Sequence, residues 1–217
     1  MRRREFITIP AGALGGLLVY TLARKPFRVE AQGTTVRVPL RFFTEAEATV
    51  VAAAAERIFP SDAGGPGATE AGVVIYIDRQ LAGPYGRDQF RYRKPPWTES
   101  VPEHGYQGRD TPREIYRAGI ARLGEFAELS TERQDERLRA IESSVFFQML
   151  RRHTIEGMFC DPHHGGNANM IGWQLIGYPG PRMSYRDEIG TNPSPPKRRP
   201  VSLEQALGRS VKGWENE

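Results

Sequence analysis

Two helix starts fix the structural class of this chain. Thr44 stands three residues ahead of Glu47, and Thr111-Pro112 stands ahead of Glu114. In each, the threonine hydroxyl can accept from the third helical N–H while the glutamate reaches back to the cap. Pro112 falls where a helix has no acceptor for an N–H. Apolar residues then recur at helical spacing. Val50, Val51, Ala54 and Ile58 lead up to Pro60, and Ile115, Ile120, Leu123 and Phe126 follow Pro112 towards Glu128. Further helices are expected over 70–82 (Val73, Val74, Ile77, Leu81), from Ser130-Thr131 (Leu138, Ile141) and from Ser143 or Ser144 (Val145, Phe146, Met149, Leu150, Ile155, Phe159). Two short ones are expected over 169–176 and 202–214, the last docking Leu203, Leu207 and Trp214. No stretch sustains strand alternation and no segment repeats. The expectation is an all-α, irregular helical domain with long loops and no substantial sheet.

The N-terminus reads as an address. Arg3-Arg4 precede Phe6-Ile7, an uncharged stretch runs to Ala23, and Val29-Glu30-Ala31 offers a small-residue cleavage site. This is the pattern of a twin-arginine signal over residues 1–31, cleaved after Ala31. The rival is a retained anchor, since Phe6 to Ala23 approaches the ~20 residues a membrane span needs. Glycines, threonines and Pro10 make it weakly apolar. The first 31 residues hold six basic and two acidic side chains, which accounts for the whole net charge of +4. The remaining domain, 32–217, is formally neutral, so it carries no electrostatic footprint for nucleic acid. Its sole cysteine, Cys160, allows no internal disulfide, in keeping with folding before export. Cys160 follows Met158-Phe159 and reads as a small buried hydrophobe.

Residues 32–43 read as a linker, and the tail at about 190–200 is rich in proline and base. Between the second and third helices, residues 84–110 are irregular, with Tyr85, Phe90, Tyr92, Trp97 and Tyr106 interleaved with arginines. A loop this long in a compact domain is commonly functional. Tyr, Trp and Arg dominate interface hot spots, so these five aromatics are candidate interface residues, as is the segment from Trp173 to Tyr185. The alternative folds the loop down over its own core.

The densest reactive cluster is HTIEGMFCDPHHGGN, residues 153–167. His153 and Glu156 share a helix face, and Asp161, His163 and His164 lie just beyond. Nitrogen, carboxylate and sulfur donors suit zinc or iron, but no H-E-x-x-H or paired Glu-x-x-His spacing is present. The structural reading has Asp161 capping amides and the glycines taking positive φ. No nucleophile elbow and no nucleotide cradle appear.

In series, ERIFPSDAGGPGA, HTIEGMF, DPHHGGN and GWQLIGYPG resemble the gluconate 2-dehydrogenase subunit 3 family. The resemblance implies a small, gamma subunit that is not itself catalytic. It implies a large flavoprotein partner carrying FAD and a cytochrome c subunit with haem c as a further candidate. It also implies a periplasmic complex, membrane-associated through its other subunits and exported through the twin-arginine translocase with chaperone-like help from this chain. The substrate class implied is a sugar or alcohol. Asp161, Pro162, Gly165, Gly166, Asn167, Trp173, Tyr178 and Pro179 are then the residues that shape the family's loop. Two rival readings remain: an independent metal-dependent periplasmic enzyme using His153, Glu156, Asp161, His163 and His164, and a membrane-tethered adaptor with an uncleaved anchor.

Overall fold

The computed structural model describes residues 27–31, 34–95, 97, 101–182, 184, 186, 189 and 198–214. Arg3, Arg4 and Phe6 of the expected signal lie outside the described residues, as do 190–197 of the tail. Seven helices follow a short hairpin: α1 Glu45–Ile58, α2 Val73–Ala82, α3 Pro112–Leu123, α4 Thr131–Arg139, α5 Val145–Phe159, α6 Ile171–Ile176 and α7 Leu203–Trp214. The class is all-α, as expected. The sheet among the described residues is one antiparallel pair, β1 Phe27–Ala31 with β2 Thr34–Val38, in register Phe27↔Val38 to Ala31↔Thr34. Part of the expected linker is therefore strand. The run Thr34-Thr35-Val36-Arg37-Val38 carries three β-branched or valine positions beyond its threonine start, enough to pair locally.

Both expected capping boxes form. The Thr44 side chain accepts from Glu47 N while Glu47 closes back on Thr44, and Thr111 and Glu114 do the same. Ser144, not Ser143, caps α5 by accepting from Phe147 N. Helix α5 is the axis of the domain, packing against α1, α2, α3 and α6. Small residues set the close approaches. Gly119 of α3 lies beneath the Phe146 ring, where a Cβ would overlap it. Gly157 of α5 faces Val73 and Tyr76 of α2, where a Cβ would lie 3.2–3.3 Å from both. Helix α1 buries Ala48, Val51, Ala54 and Ala55, a narrow face that admits its neighbours closely.

The entry to α1 is held from below. Asp78 of α2 is 1% exposed. Its carboxylate accepts from the backbone N–H of Arg41 (2.7 Å), Phe42 (2.9 Å) and Phe43 (2.8 Å). This places Phe43 in the core beside Tyr116. At the surface, Arg117 of α3 pairs with Glu47 and lies over the Phe42 ring at 4.4 Å. Arg57 joins α1 to Asp135 of α4 at 2.8 Å.

Three expectations are corrected. Helix α3 stops at Leu123 rather than near Glu128, because Gly124 turns left-handed (φ +60°) and sends Phe126 into the core on a short 3-10 turn. Helix α6 begins at Ile171, since Asn169 and Met170 both take positive φ. Helix α7 forms where expected, yet Leu203 and Leu207 are exposed instead of docked. The side chain of Trp214 lies outside the described residues. Among the described residues no helix is long and apolar enough to cross a membrane.

Candidate functional site

The glycine-rich loop is the cap of α5. The last carbonyls of a helix have no partner within it, and here the loop supplies them. Asn167 N donates to Gly157 O (2.7 Å), Asn167 Nδ2 to Cys160 O (2.8 Å), and Trp173 Nε1 to Phe159 O (2.7 Å). Asn167 is fully buried and left-handed (φ +47°), and its Oδ1 accepts from Gly172 N (2.8 Å), so one side chain stitches the end of α5 to the start of α6. Side chains at Gly166 and Gly172 would overlap the carbonyls of Gly157 and Met158. Asp161 accepts from His163 N (3.0 Å) and from Leu203 N (2.7 Å), tethering α7 to the loop. Pro179 O accepts from Val201 N (3.1 Å), and the Tyr178 ring meets Trp173 edge-on. The expected family-loop residues are thus brought together, with the geometry of a joint between helices.

One turn before the cap, His153 is 2% exposed and lies between two tyrosines. Tyr85 Oη is 2.9 Å from Nε2, and Tyr116 Oη is 2.8 Å from Nδ1 with its ring stacked on the imidazole. Tyr116 is fully buried. A neutral imidazole offers one donor and one acceptor. The arrangement that leaves no proton of the fully buried Tyr116 unpaired has Tyr116 donating to Nδ1 and Nε2–H donating to Tyr85, a residue that is itself 39% exposed. Burial, and secondarily Arg152, push the His153 pKa down to about 4, while burial raises Tyr85 to about 12 and Tyr116 well above its ordinary value. Nearby, Tyr76 donates to Glu156 at 2.9 Å.

A histidine neutral in the fold and titrating near 6.5 when unfolded binds its proton more readily in the unfolded chain. Stability is then full above about pH 6.5, falls as pH drops towards 4, and levels off below. Urea unfolding across that range is expected to show a loss of about 3 kcal/mol from this group. In His153→Gln that contribution to the slope disappears. An unchanged slope would place the titration elsewhere.

These contacts separate the proposed metal ligands. His153 spends both ring nitrogens on tyrosines, Glu156 holds Tyr76, Asp161 caps backbone, and the rings of His163 and His164 meet edge-to-face at the surface with centroids 5.3 Å apart. Among the described residues no three His, Cys, Asp or Glu side chains converge. Cys160 is half-buried rather than buried, and burial raises its thiol to about 11, far from a reactive thiolate.

The aromatic loop is braced, and two of its rings project. Arg91 pairs with Asp88, donates to Gly108 O at 2.6 Å and lies over the Tyr106 ring at 5.1 Å. Arg93 reaches Arg109 O at 2.5 Å. Tyr106 is partly buried against the core, and Tyr85 is pinned to His153. Phe90 and Tyr92 stand 85% and 77% exposed, and Trp97 is exposed as well. The loop thus folds onto the domain at Tyr85 and Tyr106 and turns Phe90 and Tyr92 outward. Sequence reasoning missed Tyr116 and Asp78, each 35 or more residues from its partners and without any local signal.

A model of the gluconate 2-dehydrogenase subunit 3 family matches residues 45–180, from the first residue of α1 to the turn after α6. No curated protein and no solved structure matches the chain.

Proposed function

The chain belongs to the gluconate 2-dehydrogenase subunit 3 family, and from that membership we propose that it is the non-catalytic small subunit of an exported dehydrogenase acting on a sugar or alcohol. Its partner is a larger flavoprotein subunit that binds FAD, and a cytochrome c subunit completes the complex in the form that passes electrons onward. The small subunit binds the flavoprotein in the cytoplasm, assists its folding and carries it through the twin-arginine pore to the periplasm on the Arg3-Arg4 signal. Chemistry belongs to the flavin in the partner.

The observation that carries this reading is the family match over α1 to α6. The braced loop supports it physically. Exposed aromatics cost least to bury when their backbone is already ordered, because little freedom is lost on binding. Phe90 and Tyr92 sit on such a backbone, with Trp97 beside them in sequence. A lasting complex buries more than ~1,200 Å² in total, so the loop is the centre of a wider surface.

The test is native purification of the tagged full-length chain from the cells that make it. A larger protein with a flavin spectrum is expected to co-purify, and both are expected in the periplasm, the small chain starting at Gln32. Lysines at Arg3 and Arg4 should hold both in the cytoplasm. Phe90→Ala with Tyr92→Ala should weaken capture roughly 30-fold or more and leave the unfolding free energy within about 0.5 kcal/mol. A solitary, colourless chain would overturn the reading.

A further inference from the structure

The start of α7 is fixed to the domain at several points. Leu203 N donates to Asp161 (2.7 Å) and Val201 N to Pro179 O (3.1 Å). Gly180 (φ +95°) lets the two segments pass this closely, since a Cβ there would lie 2.0 Å from Val201 O. Ser202 is buried and closes a capping box with Gln205. Gln205 N donates to Ser202 Oγ (3.3 Å), and Ser202 N donates to Gln205 Oε1 (3.2 Å). The helix that leaves this anchored start holds its leucines in water. Leu203 and Leu207 are 45% and 57% exposed, and between 203 and 208 only Ala206 is partly covered.

The sequence extends that stripe. Leu203, Ala206, Leu207, Val211 and Trp214 recur at the helical period, while positions Gln205, Arg209 and Lys212 fall opposite them. Lys197, Arg198 and Arg199 lead into the helix, and the last two are exposed. Residues 197–214 thus hold five basic side chains against one acidic, Glu204, in a domain that is neutral as a whole. A short apolar stripe ending in tryptophan, with lysine and arginine opposite, is the pattern of a helix that lies in a bilayer interface. Leu203–Trp214 is 12 residues long, which spans ~18 Å against a hydrocarbon core of ~30 Å, so it can lie along a membrane but not cross one. A protein partner matches this composition less well. Interface cores are depleted in lysine, whereas a run of basic residues gains attraction from every anionic headgroup beneath it.

We propose that α7 is an interfacial anchor, by which this chain itself rests on an anionic phospholipid surface. The apolar stripe enters the headgroup region and the basic residues hold the phosphates. The family match ends at residue 180, and the anchor stands independently of the accessory role proposed above.

The experiment adds vesicles of phosphatidylcholine, alone or mixed with phosphatidylglycerol, to the tagged full-length chain. Brominated acyl chains quench a tryptophan that enters them. The difference between wild type and Trp214→Phe isolates residue 214, so binding through residues 1–31 does not register. Quenching at 214 is expected on the mixed vesicles and should weaken as salt rises. Leu203→Gln with Leu207→Gln should lower partition roughly 10-fold or more. It should leave the melting temperature unchanged, since both leucines are exposed. Arg209→Gln with Lys212→Gln spares the apolar stripe and should lower partition only where phosphatidylglycerol is present. No quenching at 214, or equal quenching on the two kinds of vesicle, overturns the proposal. A lower melting temperature in the leucine variant would show the stripe packed on the domain, and also overturns it. Without vesicle binding, loss of flavoprotein capture in the leucine variant makes α7 a protein contact, and dimerisation that the variant abolishes assigns the stripe to a second copy; either result overturns the anchor.

Discussion

Replacing Asp78 with alanine is expected to lower the unfolding free energy by about 4 kcal/mol, among the largest effects of any single side chain in this domain. The carboxylate is 1% exposed and is the acceptor for three successive N–H groups, those of Arg41, Phe42 and Phe43. Truncation leaves these donors unpaired, each costing ~1–3 kcal/mol where water cannot reach it. Arg41 is at the surface and can recover a water, whereas the N–H of Phe43 is buried and cannot. The full sum is therefore not expected. A fall in melting temperature of about 10 °C follows for a domain of this size. Asparagine keeps one oxygen and turns an NH2 towards a donor, so Asp78→Asn should lose roughly half as much. Thermal and urea unfolding of both variants measure this directly. A loss below about 1 kcal/mol for alanine would mean that the backbone before α1 is held by something other than this carboxylate.

How much of this was legible in sequence depends on the range of the interaction. The caps Thr44–Glu47 and Thr111–Glu114 are three-residue events, and they form as spaced. The end of α3 was missed because Phe126 keeps the helical period while Gly124 breaks the backbone beneath it, and periodicity alone does not weigh a left-handed glycine. The aromatics of the long loop could be named, but not sorted into those that fold back and those that project. Tyr85 and Tyr106 find partners (His153, Asp110 N and Arg91) that are set by tertiary structure, while Phe90 and Tyr92 find none within the domain core. The histidine cluster shows the same limit from the other side. Its residues are close in sequence, yet the helix turns His153 inward to two tyrosines while His163 and His164 stay on the surface. Adjacency along the chain brought no ligands together, because helix period and cap geometry decide direction.

The cap itself supplies the second large effect. Asn167→Ala is expected to cost about 3–4 kcal/mol. It removes the donor to Cys160 O and the acceptor from Gly172 N, both at 2.8 Å and both made by a fully buried side chain. It also leaves alanine at φ +47°, a conformation asparagine tolerates better. Asn167→Asp discriminates more sharply, because it retains the acceptor for Gly172 N and exchanges the donor for an oxygen facing the Cys160 carbonyl. Protonated, that oxygen can donate to Cys160 O and restore the cap; ionised, it repels the carbonyl in a site without water. The aspartic acid in Asn167→Asp is thus expected to have a folded-state pKa raised above its ordinary value of about 3.9. A raised pKa contributes stability that is present below the unfolded value and lost as pH climbs through the folded one. The variant should approach wild type in acid and fall away from it as pH rises, a trend opposite in sign to that of His153 in the native chain. Urea unfolding of Asn167→Asp against wild type at matched pH isolates the difference. A pH-independent gap would mean that the 167 side chain does not reach the end of α5, and that the loop is held to the helix by its backbone and Trp173 alone.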